Sequence, residues 1–237
     1  MVVLMTKHLL IDGDPLVYRS CLTREAVSPA ESLDYFASIL DYILWDALPF
    51  PAVDDYTLFL SGKGNFRKDM YEDYKANRIT PKPSSFGTVM ELVTKLYEPE
   101  VCNGYEADDG ICMAAYERGL KNVIIVSSDK DFKQIPTEIY NTYNWTREII
   151  PKHVATRNFW TQVLTGDSVD NIKGCRGIGF AKAKKLLSGC RKEEDYRNAT
   201  LKAYMAASPE TYLEDFNKAY TLVRLLRNKK EIPKHDA

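Results

Sequence analysis

Two stretches constrain this chain more than any other feature: Gly-Tyr-Glu-Ala-Asp-Asp at 104–109 and, shortly after, Ser-Ser-Asp-Lys-Asp at 127–131. Glu106, Asp108 and Asp109 open an apolar helical run, and Asp129 and Asp131 stand just past an Ile/Val strand. Carboxylates crowded at two neighbouring element ends repel one another unless a cation lies between them. Hard divalent ions such as Mg²⁺ or Mn²⁺ prefer all-oxygen ligands and suit such a cluster. Further acids in Ile-Asp-Gly-Asp at 11–14 and Gly-Asp-Ser-Val-Asp-Asn at 166–171 point to the same metal-dependent phosphodiester chemistry.

The pattern between these acids alternates. Leu9–Asp12, Tyr56–Leu60, the surroundings of Val101, and Val123–Val126 read as strands. Ser28, Pro29 and Glu31 form a helix start. That helix is expected to run to about Ala47, with Leu33, Phe36, Ala37, Leu40, Ile43 and Leu44 facing inward. Phe66–Arg78 reads as a polar helix stopped by Pro81 and Pro83, Phe86–Tyr97 as another, and Ala107–Arg118 as one closed by Gly119. Strands alternating with helices imply a three-layer α/β fold with a parallel sheet and helices on both faces. Functional groups of such sheets gather beyond the carboxyl ends of the strands. Asp12, Asp129 and the Glu106 group all fall there, from three separate segments.

From about residue 151 the pattern turns helical: His153–Thr165, a loop with Asp167 and Asp170, then a turn with glycines at 174, 177 and 179. This turn enters a basic helix that Ile178, Ala183 and Leu186 are expected to pack. Exposed backbone N–H groups at a helix start favour a phosphate, a helix–hairpin–helix signature that holds duplex backbone without reading bases. A last helix is expected near Tyr212–Arg227 and a loose tail from Lys229. Net charge is −1, yet residues 172–192 carry Lys173, Arg176, Lys182, Lys184, Lys185, Arg191 and Lys192 without one acid. Segregated acidic and basic surfaces fit a polyanion held beside a metal site. No apolar run approaches the ~20 residues that span a bilayer, and Lys7 and His8 before the first strand do not read as a signal peptide. The cysteines, five in all, lack metal spacing and read as reduced thiols of a cytoplasmic protein. His8, His153 and His235 lack it too.

With these residues in hand, the chain resembles the 5′-nuclease superfamily of flap endonucleases and 5′→3′ exonucleases, bacteriophage members especially. The motifs that carry the resemblance run, in family order, through Ile-Asp-Gly-Asp at 11–14, Phe-Arg at 66–67, Tyr-Lys-Ala-Asn-Arg at 74–78, Glu-Ala-Asp-Asp at 106–109, Ser-Asp-Lys-Asp-Phe at 128–132, Gly-Asp-Ser-Val-Asp-Asn-Ile at 166–172 and Gly-Ile-Gly at 177–179. The resemblance implies a PIN-like nuclease domain over 1–150, with a short helical arch over 79–105, and a helix–three-turn–helix duplex-binding lobe over 151–237. It implies two divalent ions, Mg²⁺ or Mn²⁺. Asp12, Glu106, Asp108 and Asp129 would surround one, and Asp109, Asp131, Asp167 and Asp170 would serve the other. Lys75 and Arg78 would act on the scissile phosphate, Tyr74 would stack on a terminal base, and Arg67, Lys173, Gly177, Gly179, Lys182, Lys184 and Lys185 would contact DNA. A K⁺ ion at the Gly177–Gly179 turn belongs to the same pattern. The implied reaction is in-line water attack on DNA, and on RNA annealed to DNA, in primer removal or DNA degradation.

The sequence departs from the family at Ser61, near where an acid is usual. Two other readings stay open, and a third fails on its motifs. A PIN-like ribonuclease shares the acid cluster, and a catalytically weak structure-specific DNA-binding protein would explain Ser61. Asp12-X-Asp14 suggests a haloacid-dehalogenase phosphatase, although Leu16 stands where that family needs Thr or Val. Asp14 itself reads as a helix N-cap rather than a ligand. The residues 67, 71, 74, 75 and 78 either form a functional helix face or a solvated one paired to Asp69, Glu72 and Asp73.

Overall fold

The computed structural model describes residues 7–22, 28–47 and 55–233; His235 and the end of the expected tail lie outside them. Strand β1 (His8–Asp12) is buried along its whole length, as a strand covered on both faces must be. Strands β2 (Tyr56–Ser61), β3 (Glu100–Cys102), β4 (Val123–Val126) and β5 (Glu138–Asn141) run parallel, and β6 (Thr146–Ile149) turns back antiparallel on β5. Among the described residues they make one sheet in the order β3-β2-β1-β4-β5-β6. The order reverses at β1, so crossover helices cover both faces.

The two-residue period of the strands sorts the core. Leu9, Ile11, Leu58, Leu60, Ile124 and Val126 pack against α1 (Gly13–Ser20), α2 (Pro29–Ala47) and α4 (Phe86–Tyr97). The intervening Leu10, Phe59 and Ile125 pack against α5 (Ala107–Arg118). The Ser28–Glu31 start is formed: Ser28 Oγ donates to Glu31 Oε2 at 2.8 Å and accepts from Glu31 N at 3.3 Å. The buried stripe of α2 is Ser32, Phe36, Ile39, Leu40, Ile43 and Ala47. Leu33 and Leu44 flank it.

The expected helix 66–78 is only partly present. Helix α3 (Phe66–Met70) ends at Tyr71, whose backbone is extended, and residues 72–77 form turns. Tertiary bonds replace the helical ladder. Lys75 N donates to Asp170 O at 2.9 Å, Asn171 Nδ2 to Asp73 O and Asn77 Nδ2 to Ser168 O, both at 2.8 Å. Tyr74 packs into the apolar cluster beyond residue 150, with Tyr71 against it, so tertiary contacts and these bonds rather than a helical ladder hold the stretch. Within the segment 79–105, where a short arch is expected, α4 packs on the sheet through Val89 and Val93, and β3 joins the sheet edge.

Beyond residue 150, α6 (Lys152–Thr165), α7 (Phe180–Leu186), α8 (Glu193–Ala207) and α9 (Tyr212–Val223) share an apolar cluster that includes Trp160, Val163, Tyr204 and Phe216. Short strands β7 (Gly166–Asp167) and β8 (Ile172–Lys173) pair between α6 and α7. Gly166 sits at φ 69°, and a Cβ there would meet Ile172 O at 2.2 Å, so the turn requires glycine. Ala183 and Leu187 are buried, whereas Leu186, expected to pack, is 43% exposed. Helix α9 stops before its expected end because Arg224 is extended, letting Leu225 and Leu226 reach the core beneath α5. Among the described residues no helix is long and apolar enough to cross a membrane.

Candidate active site

The sheet order places the carboxyl ends of β3, β2, β1 and β4 side by side, and the site is built from the residues at and just beyond the end of each strand. Asp12 ends β1 and is buried. Ser127, just past β4, donates from Oγ to Asp12 Oδ2 at 2.7 Å and accepts from Asp129 N at 3.0 Å, which fixes both acids. Asp129 Oδ1 accepts from Asp131 N at 2.8 Å and so caps the 3₁₀ helix Lys130–Gln134. Ser61 ends β2. Its N–H donates to Asp14 Oδ1 at 3.1 Å, and its Oγ accepts from Ala107 N at 3.0 Å. Ser61 therefore ties α1 and α5 to the strand, at the position where an acid was the family expectation. Asp14, expected as an N-cap, lies instead within the first turn of α1 and caps no helix end.

Glu106 and Asp108 open α5. Glu106 accepts from Tyr74 OH at 2.7 Å and from Lys75 Nζ. Burial pushes its carboxyl up, but Lys75 and Arg67 outweigh this and hold it below the usual range. For Asp108, burial and the charges of Glu106 and Asp109 drive the carboxyl well above that range. Asp12 is likewise pushed up to about 8, by burial and by Asp14 and Asp129, against the Ser127 hydrogen bond. The loop 166–171 adds Asp167 and Asp170. Arg78 bonds Asp170 Oδ1, and Lys75 Nζ lies 3.6 Å from Asp170 Oδ2. Lys75 is in the left-handed region at φ 56°. Residues other than glycine rarely adopt it, and it accompanies the inward reach of the side chain.

Arg67, Asp109 and Tyr74 differ from expectation. Arg67 and Asp109 are 1% and 0% exposed. They form a bidentate pair, Nη1–Oδ2 at 2.6 Å and Nη2–Oδ1 at 2.9 Å. Arg67 also donates to Leu222 O and Arg224 O, and Asp109 Oδ1 accepts from Leu226 N at 3.0 Å. All this capacity is turned into the interior, so Asp109 stands as a structural partner rather than a metal ligand, and Arg67 as its mate rather than a DNA contact. Tyr74 is buried with its hydroxyl on Glu106, which leaves no ring face for a base.

Sequence reasoning passed over Ser127, Lys130 and Gln162. Lys130 Nζ bonds Asp167 Oδ2 and Asp131 Oδ1, and Gln162 Nε2 reaches the same oxygens. Lys130 lies inside the Ser-Asp-Lys-Asp stretch and could have been found there, whereas Gln162, a lone amide on α6, carries no local signal. A cleft of about 1010 Å³ opens beside Glu106, lined by Lys68, Lys75, Arg78 and Lys82 together with Tyr18 and Phe86. On the far lobe Lys173, Lys182, Lys184 and Lys185 are exposed. Gly177 is at φ 73°, and Lys182 Nζ donates to its carbonyl at 2.9 Å.

The donor set is that of hard cations: carboxylate oxygens, several of them under-compensated. Among the described residues no group of three or more His, Cys, Asp or Glu is set as a ready-made cage. Lys75, Arg78 and Lys130 stand between the acids instead. By donor chemistry the residues fit divalent ions, with these cations holding the acids meanwhile.

The family profile described as 5′-3′ exonuclease, N-terminal resolvase-like domain, matches residues 7–160. The chain belongs to the 5′-3′ exonuclease family. DNA polymerase I of Rhizobium leguminosarum is 29% identical over 254 residues, covering 95% of this chain and 25% of the polymerase. The chain thus spans about a quarter of the length of that relative. The 5′-3′ exonuclease of Bacillus subtilis is 27% identical over 212 residues, covering 76% of this chain and 69% of that protein. Among solved structures, the bacteriophage T5 flap endonuclease, in a pseudo-enzyme-product complex with DNA and metal ions, superposes with a TM-score of 0.58 at 15% identity. That superposition covers 92% of this chain and 99% of the phage protein and supports a shared 5′-nuclease fold.

Proposed function

We propose that this member of the 5′-3′ exonuclease family hydrolyses phosphodiesters from the 5′ ends of DNA, and at 5′ flaps, using two divalent ions, Mg²⁺ or Mn²⁺. The observation that carries the reading is the convergence of acids from three strand ends on one sheet edge, joined through Lys75 and Lys130 by Asp170 and Asp167, beside a cleft lined by Lys68, Lys75, Arg78 and Lys82. Asp12, Glu106, Asp108 and Asp129 would hold one ion, and Asp131, Asp167 and Asp170 the other. Bound there, the ions supply Lewis acidity and charge neutralisation for in-line displacement at phosphorus.

The remaining work falls to the chain itself. Lys75, now on Glu106 and Asp170, has its ammonium stabilised despite burial by those acids and Asp108, and it stays charged to meet the phosphate. Arg78, half-exposed at the cleft, reaches the same phosphate from the solvent side. Ser127 holds Asp12 and Asp129 in register, and Ser61 holds the start of α5. Lys173, Lys182, Lys184 and Lys185, with the turn at Gly177 and Gly179, hold duplex backbone, and a K⁺ ion at that turn would take the place Lys182 now has on the Gly177 carbonyl. In this reading 1–150 cuts and 151–237 grips the duplex. RNA annealed to DNA, a role in replication primer removal and a cytoplasmic setting belong to the same proposal.

The test is a panel of 5′-labelled flap, nicked duplex and single-stranded RNA, digested with and without Mg²⁺ and sized on a gel. Mg²⁺-dependent release from DNA 5′ ends, lost by several orders of magnitude in Asp129→Asn, is expected. Preferred cutting of single-stranded RNA would overturn it in favour of a ribonuclease.

A further inference from the structure

Three elements meet at one ammonium group. Lys130, in the 3₁₀ helix after β4, donates from Nζ to Asp131 Oδ1 at 3.1 Å and to Asp167 Oδ2 on β7. Gln162, on α6, donates from Nε2 to the same two oxygens, at 2.8 Å and 3.3 Å. The two carboxylates are thereby held face to face across a positive charge rather than turned apart into solvent. Asp167 is drawn below the usual carboxylate range, against its burial, by the Lys130 bond and the N–H of Val169. Lys130 itself is 63% exposed in its side chain, so its ammonium can swing out without disturbing packing.

We propose that Lys130 is a tethered internal cation that fills the place of the second divalent ion and sets how tightly that ion binds. The inference rests on the metal reading above and concerns what this chain brings to it. A divalent ion bound to Asp131 and Asp167 has to expel the ammonium, because the same two oxygens cannot face both. The metal-free protein gains an ion pair that offsets the repulsion between the two acids, and the second ion binds more weakly by the same amount. Gln162, being neutral, keeps the carboxylates aligned while the cations exchange. The ion nearer Asp12 meets Lys75 on Glu106 instead, but it has four carboxylates against three, so the second site is the weaker and Lys130 bears on that site alone.

Mn²⁺ binding, followed by electron paramagnetic resonance or calorimetry without DNA, tests this together with thermal unfolding in EDTA. The variants are Lys130→Met, which keeps the stem and removes the charge, and Lys130→Arg, which keeps the charge. Wild type should show a tight and a weak class. In Lys130→Met the weak class should tighten by up to about fivefold, the scale of one solvent-accessible ion pair, with the tight class unmoved. Metal-free Lys130→Met should also melt below wild type and recover at saturating Mn²⁺, while Lys130→Arg stays close to wild type throughout. A weak class unchanged or weakened in Lys130→Met overturns the role of Lys130 alone. Wild-type protein that binds no Mn²⁺ at millimolar concentration overturns the metal reading and this inference with it.

Discussion

Replacing Asp109 by Ala separates two accounts of the acid cluster. If Asp109 belonged to the metal site, its removal would abolish cutting and relieve repulsion, leaving the metal-free fold as stable or more so. The structure argues otherwise. Asp109 accepts from Arg67 at 2.6 and 2.9 Å, from Leu226 N at 3.0 Å and from Glu106 N at 3.3 Å. Truncation leaves the Arg67 guanidinium, 1% exposed, with two backbone carbonyls and the more distant Glu106 Oε2 at 3.6 Å, and strips the Leu226 amide of its acceptor. Orphaning one member of a buried pair costs about 3–5 kcal/mol. At about 2–4 °C per kcal/mol for a chain of this size, melting should fall by roughly 6–20 °C. Differential scanning calorimetry in EDTA reads this directly, with Asp129→Asn, expected near or above wild type, run beside it. A stable Asp109→Ala protein, within about 1 kcal/mol of wild type yet without cutting, would refute the structural assignment and return Asp109 to the metal.

The metal-free protein should lose stability as pH rises. Asp12 is pushed up to about 8 in the fold from 3.8, so folding takes up a proton across that window, and the penalty grows from about pH 4 and is complete above pH 8. Asp12→Asn removes it, so its melting advantage over wild type in EDTA should be absent near pH 4 and largest near pH 9; a constant gap would contradict the burial of Asp12 as the cause. Lys75→Ala should slow single-turnover cutting at saturating enzyme by about 10²–10³-fold with duplex affinity nearly kept, and a loss of affinity alone would deny Lys75 its place at the phosphate. The double change Lys182→Ala, Lys184→Ala should weaken duplex binding and lower the salt slope by at most about 1.8, leaving single-turnover cutting intact.

Much of this was legible in the sequence. The acids at 12 and 129 follow buried strands and those at 106 and 108 follow the edge strand β3, and strand-then-acid is a local pattern that the parallel sheet converts into convergence. The roles of Arg67, Tyr74 and Asp109 were not legible. Arginine and tyrosine at helical spacing next to a lysine look the same whether the face meets solvent or another element. Here the decision was made by residues 222–226, whose backbone takes up Arg67 and Asp109 and whose Leu225 and Leu226 fill the core. The early end of the 66–78 helix has a similar origin, since its turns are held by bonds to 168–171. The hairpin β5–β6 escaped notice because β6, Thr-Arg-Glu-Ile, is exposed along its whole length and carries no apolar run.

The Arg67–Asp109 pair also has a consequence during synthesis. Three of its other partners are backbone atoms at 222, 224 and 226, and Gln134 reaches Val223 O and Leu225 N in the same way. Every acid of the site has been translated by residue 170, yet the start of α5 that carries Glu106 and Asp108 is not backed until the 222–226 segment arrives. At about 5–20 residues per second, the ribosome adds that stretch some seconds later. A nascent chain therefore carries all of its acids before it carries their support, and under the proposed function cutting waits until the 222–226 segment has left the exit tunnel.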